Sequence, residues 1–168
     1  HLLMLIRAYR HQSTLGPACL WLLALWVMFG RYFVVSINLT DSLPDRLYLI
    51  QKGVKPSLND FAAFQYQGGG PYAPGTRFIK IVKGVEGAHV VAIESDSGFR
   101  DFYVNGSYVG RAKPRSRYGT PLSPGPTGTI PANHYYMSAP NPDSLDSRYA
   151  LVGWVDEKYV IGRAIAIL

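Results

Sequence analysis

The sequence holds a single cysteine, Cys19, so no intrachain disulfide can form and cysteine usage does not indicate a redox compartment. Histidine is also scarce. His1, His11, His89 and His134 show no metal-ligand spacing, which argues against a zinc site. The net charge is +6, yet no long basic run exists. The densest group is Arg111, Lys113, Arg115 and Arg117, interrupted by Pro114. It reads as a solvated loop, with contact to anionic lipid head groups as the rival. Nucleic acid is therefore not an expected partner. Strong helix-forming stretches are scarce after residue 40, and there is no internal repeat and no low-complexity tract.

What the chain does have is turn chemistry and one apolar run. Gly 17, Pro 12 and Tyr 12 in 168 residues point to a β-rich domain with many turns. The apolar run is LGPACLWLLALWVMF, residues 15–29, without a charge; Gly30, Arg31 and YFVVSI follow. Pro17 to Ile37 is 21 residues, and at about 1.5 Å rise per residue a helix of that length spans about 30 Å, the thickness of a bilayer core. The expectation is an uncleaved membrane anchor over 15–37. Arg7 and Arg10 in segment 1–14 then stay cytoplasmic, and residues 38–168 are translocated.

Beyond Asn38 the pattern is short strands and turns. Strands are expected at 46–50, 61–66, 77–85, 89–93, 134–139 and 159–168. FYVNGSYV, residues 102–109, reads as a hairpin, because Asn105-Gly106 is a strong two-residue turn signal. Residues 111–133 are rich in Pro, Gly and Ser and are expected to form a long loop. The whole is expected to build around one core sheet.

Three segments carry chemistry. A serine hydroxyl is a weak nucleophile and needs an adjacent base. Lysine serves as that base only when neutral, and burial is what lowers its pKa. Ser42 lies in the turn-like T-D-S-L-P, residues 40–44. Lys80 lies in the apolar strand FIKIV, residues 78–82. Alternation places Phe78, Lys80 and Val82 on one face and Ile79, Ile81 and Lys83 on the other, and by itself does not choose between Lys80 and Lys83. In D-S-L-D-S-R, residues 143–148, Asp146 and Arg148 share a face if extended and can pair. Taken singly, each of these residues also fits a bland reading: a turn serine, a solvated strand lysine, a surface ion pair.

The ordered set resembles the boxes of the type I signal peptidase superfamily, and is most similar to the smaller conjugative-transfer peptidase group of TraF. Ser42-Leu43-Pro44 resembles the nucleophile box. Ile79-Lys80 with Gly84 and Gly87 resembles the lysine box. Ser144-Leu145-Asp146-Ser147-Arg148-Tyr149, followed by Gly153 and Ile161-Gly162-Arg163-Ala164, resembles the last box. Two departures lean away from housekeeping signal peptidase. Met137-Ser138-Ala139-Pro140-Asn141 stands where that group has a G-D-N stretch, and Gly87 is followed by Ala88-His89 rather than an acid.

The resemblance implies a mainly β fold: a signal-peptidase-like antiparallel β catalytic domain with one N-terminal transmembrane helix. It implies a serine endopeptidase with Ser42 as nucleophile and Lys80 as general base. Ser144 orients the amine, Thr40 and the Ser42 N–H form the oxyanion hole, and Asp146 with Arg148 supports the wall. Leu43 and Ile79 are candidates for the lining of the substrate pocket. No metal or organic cofactor is implied. The implied partners are a peptide substrate (a pilin or preprotein), the lipid bilayer, and other conjugation or secretion components. The implied place is the bacterial inner membrane, single-pass, with the catalytic domain in the periplasm. Rival readings are a general type I signal peptidase, a non-catalytic anchored β-domain of a secretion complex, and a self-cleaving repressor relative. The apolar run argues against the last.

Overall fold

The computed structural model describes residues 2–38, 42–95 and 97–167, with side chains described from residue 16 onward. The chain divides into two compact units, His1–Phe33 and Val34–Leu168. The first is a helix, α1 (Leu2–Tyr32), with Pro17 inside it. The Leu- and Ala-rich composition of its second half favours helix. Large apolar side chains there, Leu20 and Trp21 through Phe29, are exposed.

The expected anchor does not continue as helix to Ile37. Helix α1 stops at Tyr32, and the aromatic and β-branched run Phe33-Val34-Val35 opens strand β1 (Phe33–Ile37). These residues suit a pleated, half-buried surface better than a helix. Among the described residues, no helix is long and apolar enough to cross a membrane.

The second unit is mainly β. Its strands after β1 are β2 (Leu47–Lys52), β3 (Phe61–Gln65), β4 (Arg77–Gly84), β5 (His89–Glu94) and β6 (Arg100–Val104). Then come β7 (Ser107–Ala112), β8 (Gly128–Thr129), β9 (His134–Ser138), β10 (Val155–Asp156) and β11 (Val160–Ala166). They form two sheets rather than the one core sheet expected. A seven-stranded sheet has the order β1-β2-β11-β3-β4-β9-β10, and a four-stranded sheet has the order β7-β6-β5-β8. Every pairing with a defined register is antiparallel. The Asn105-Gly106 turn joins β6 to β7, with φ of 46° and 79°. Positive φ at both positions is what a tight hairpin turn demands.

The large sheet is covered on both faces. Tyr48, Ile50, Ala63, Ile79 and Ala164 pack into one core cluster, while Ala62, Phe64, Val82, Tyr135 and Met137 pack into another. Successive residues of β3, Ala62 and Ala63, thus serve opposite cores. This explains why FAAF reads as an unbroken apolar run rather than an alternating one. A third cluster, including Val90, Phe102, Val104, Ile130 and Tyr136, joins the small sheet to β9. Each such fully buried large side chain contributes about 1.5–3 kcal/mol.

The expected loop at 111–133 is shorter and more built than its composition suggests. Residues 111–112 end β7, and 128–129 form β8. Between them, two isolated bridges, Arg115 to Pro121 and Pro124 to Tyr149, pin the chain. Gly125 approaches so closely that any Cβ there would overlap the Ser147 carbonyl oxygen, and its N–H donates to Arg148 O at 2.7 Å. Only glycine fits that position.

Candidate active site

Strand β4 carries Lys80 into the protein. Its register places Lys80 opposite Ala62 and Ile79 opposite Ala63, so these cross-strand side chains offer the amine no polar partner. Lys80 is 5% exposed. Phe78, two residues earlier, puts its ring 5.4 Å from the Lys80 Nζ. That ring stacks on Tyr66 at 4.9 Å and meets Phe64 and Tyr72 edge-on at 5.8 and 5.3 Å. Lys83 takes the ordinary course: its amine reaches Asn59 Oδ1 at 3.2 Å in an exposed position. Packing thus distinguishes the two lysines that the strand pattern leaves equivalent: Lys80 is buried and Lys83 is not.

Burial is the dominant influence on Lys80. It lowers the amine pKa from 10.5 to about 8. Asp146 opposes that shift by attracting the charged form, and Arg148 reinforces it by repelling the same charge. The net effect of this ion pair on the lysine is smaller than desolvation because its two members act with opposite sign.

The Lys80 amine donates to Ser144 Oγ at 2.7 Å. Ser144 is itself buried, in a turn after β9 where its N–H donates to Asn141 O at 3.1 Å. Asp146 and Arg148 hold that turn. They do not share a strand face; both lie in a turn, at 0% and 1% exposure, rather than at the surface. Arg148 Nη2 and Nε donate to the Asp146 carboxylate at 2.7 and 2.8 Å. The same guanidinium also donates to the carbonyls of Ala139, Asn141 and Ser144, at 3.3, 3.0 and 3.4 Å. Asp146 Oδ2 accepts from the Ala139 N–H at 3.0 Å. Ser147 adds a tie that sequence reading missed, its Oγ accepting from the Met137 N–H at 2.9 Å. A buried charge left without its partner is costly, so this geometry leaves the turn carrying Ser144 little freedom.

Ser42 is buried and lies at the opposite end of the large sheet's sequence, just before β2. Ser42, Ile79, Lys80 and Ser144 all line one open cavity of about 690 Å3, together with Phe78 and Tyr72. Leu43 packs in the core cluster that includes Ile79 and is not among the lining residues. Thr40, with residues 39–41, lies outside the described residues. Phe78 and Tyr72 were not singled out by sequence reading, although alternation already put Phe78 on the face of Lys80. Among the described residues, no group of three or more His, Cys, Asp or Glu side chains is arranged to hold a metal.

A family model described as signal peptidase, peptidase S26, matches residues 8–168. The chain belongs to this family. It is a serine peptidase of the signal or leader peptidase kind, and its substrates are peptides or preproteins. No curated protein shows a significant sequence match to it. The S26 match runs through the turn of Ser42, strand β4 and the Ser144–Arg148 turn, the same three segments that converge at the cleft.

Proposed function

We propose that Ser42 and Lys80 are the catalytic dyad of a membrane-anchored endopeptidase that matures the pilin of a conjugative secretion system. The observation that carries the dyad is the buried Lys80 amine, held on Ser144 Oγ in the cleft that Ser42 also lines. Ser42 Oγ attacks the scissile carbonyl and Lys80 accepts its proton. The tetrahedral oxyanion is received by the Ser42 N–H and the Thr40 hydroxyl. Its collapse expels the amine of the downstream chain, which takes the proton from Lys80, and leaves an acyl-enzyme ester on Ser42. Water, activated by Lys80, then releases the leader. Ser144 keeps the amine aimed, and Asp146 with Arg148 keeps Ser144 in place. The substrate lies extended along the cleft, where Ile79 takes a small side chain.

Anchoring is supported by the uncharged run 15–29 and by the exposed apolar side chains of α1. Within the β unit, Val35 and Ile37 on β1, and Ile165 and Ile167 at the end of the chain, are also exposed and suit a surface close to lipid. The working place is then the outer face of a bacterial inner membrane, with the β unit in the periplasm. The narrower assignment to pilin maturation rests on the two departures from housekeeping signal peptidase, at 137–141 and after Gly87.

The test is the intact mass of a candidate pilin precursor co-expressed with the wild-type protein or with Ser42→Ala. The expected result is a shortened pilin with wild type alone. A product one water lighter than the linear form would show a cut near the pilin's C-terminus as well: the tail leaves as the amine, the pilin is held as the ester on Ser42, and its own amino terminus displaces Ser42 to close the ring. Cleavage across a broad panel of exported precursors would instead mark a general signal peptidase.

A further inference from the structure

A second cavity, also of about 690 Å3, adjoins the cleft. The two share Tyr72, Arg117, Asp143, Ser144 and Leu145 as lining. A chamber of this size lies within the range of sites that take a specific ligand. The Ser42–Lys80 reading gives it no role.

Its walls are amphipathic. Leu122, Leu145 and Leu151 supply apolar surface, and Lys113, Arg115 and Arg117 supply cations against the single carboxylate of Asp143. That carboxylate is already used, since Lys113 Nζ lies 2.6 Å from Asp143 Oδ1. Arg115 Nη1 donates to Gly119 O at 2.9 Å, and the Arg117 guanidinium sits 5.7 Å from the Tyr118 ring. Among the described residues, no carboxylate lies within ion-pair distance of either arginine, although Arg117 is near enough to lower the pKa of Asp143. The chamber therefore carries an excess of positive charge beside apolar surface.

The wall is also pre-built. Arg115 bridges to Pro121, Pro124 bridges to Tyr149, and the Lys113 N–H donates to Tyr149 OH at 3.1 Å. These contacts tie residues 113–124 to the turn that holds Ser144. A preformed wall spends little on ordering when a ligand arrives.

We infer that this chamber is an extended substrate subsite, which takes a segment of the substrate polypeptide carrying an acidic side chain beside an apolar one. The occupant is the substrate chain because the chamber opens from the cleft itself and shares Ser144 with it. Its acidity follows from charge complementarity to Arg115 and Arg117. The inference rests on the cleft at Ser42 and Lys80 being the active site.

The test uses the full chain in detergent and a peptide library with a fixed pair of small residues before the cut and randomised flanks. Cleaved members are read by mass spectrometry for the wild type and for Arg115→Gln/Arg117→Gln. Asp or Glu is expected to be enriched about fivefold or more at one flanking position, as for two exposed charge contacts. In the double variant that enrichment falls towards one, with acidic members losing more rate than neutral ones, and high salt weakens it in the wild type. Absence of acidic enrichment in the wild type, or an equal loss for acidic and neutral members in the variant, would overturn the inference. A wild type that cleaves no member would overturn the active-site reading first, and this one with it.

Discussion

With Lys80 as the general base, its lowered pKa predicts that activity follows a titration curve with a midpoint at about 8. A lysine at 10.5 is almost wholly charged at neutral pH and is no base. At about 8, roughly one-tenth of Lys80 is neutral at pH 7, half at pH 8, and about nine-tenths at pH 9. If Lys80 takes the proton of Ser42, kcat/KM rises about tenfold between pH 7 and 9, because that ratio reports the free enzyme's essential groups. Initial rates on a synthetic leader peptide, in buffers of matched ionic strength from pH 6 to 10, measure it. Asp146→Asn adds a signed control. The Asp146 charge raises the Lys80 pKa, so its removal moves the inflection to lower pH. A flat profile between pH 7 and 9, or an inflection near 10.5, would refute the argument that burial prepares Lys80 as the base.

The same burial costs stability. The unfolded chain holds the lysine proton more tightly than the fold does between about 8 and 10.5, so the penalty is complete below pH 8 and fades as pH rises to 10.5. Lys80→Met is therefore expected to raise stability at pH 7 by about 3 kcal/mol while abolishing cleavage, with urea denaturation at pH 7 and 10 showing the gain shrink. Ser144→Ala removes the acceptor 2.7 Å from the Lys80 amine. It should lower kcat by about ten- to a hundredfold through loss of aim, and lower the thermal midpoint as well, because the buried amine loses its acceptor. Asp146→Ala leaves Arg148 as a buried charge without its carboxylate and should cost about 3–5 kcal/mol, read as a lower urea midpoint.

Much of the second unit was legible because its strands are short, bounded by turn residues and rich in Val, Ile, Phe and Tyr. Strand β4 was expected at 77–85 and runs from Arg77 to Gly84; the Asn105-Gly106 turn is where its dipeptide put it. Strand β1 was missed because Phe33–Ile37 continues an apolar run, and hydropathy alone does not tell the end of a helix from a strand. The division into two sheets was missed because it depends on tertiary pairing; nothing local marks β5 as turning from β4 to a separate sheet. In the site, the Lys80–Ser144 contact spans 64 residues and came only from resemblance. The aromatic packing of Phe78 with Tyr66 and Tyr72 had a weak signal in strand alternation. The fixing of residues 113–125 against the Ser144 turn had none, since Gly125 looks like any loop glycine until its neighbour Ser147 is in place.

A nucleophilic Ser42 must pass through a covalent bond to substrate, and that bond can be trapped. The full chain is mixed with a leader peptide, quenched in acid within the first turnover, and mapped by mass spectrometry. The expected product is an ester that adds the leader fragment's mass, less one water, to the peptide containing Ser42, absent from Ser42→Ala and from Lys80→Met. An adduct on a different residue, or leader cleavage that persists in Ser42→Ala, would contradict it.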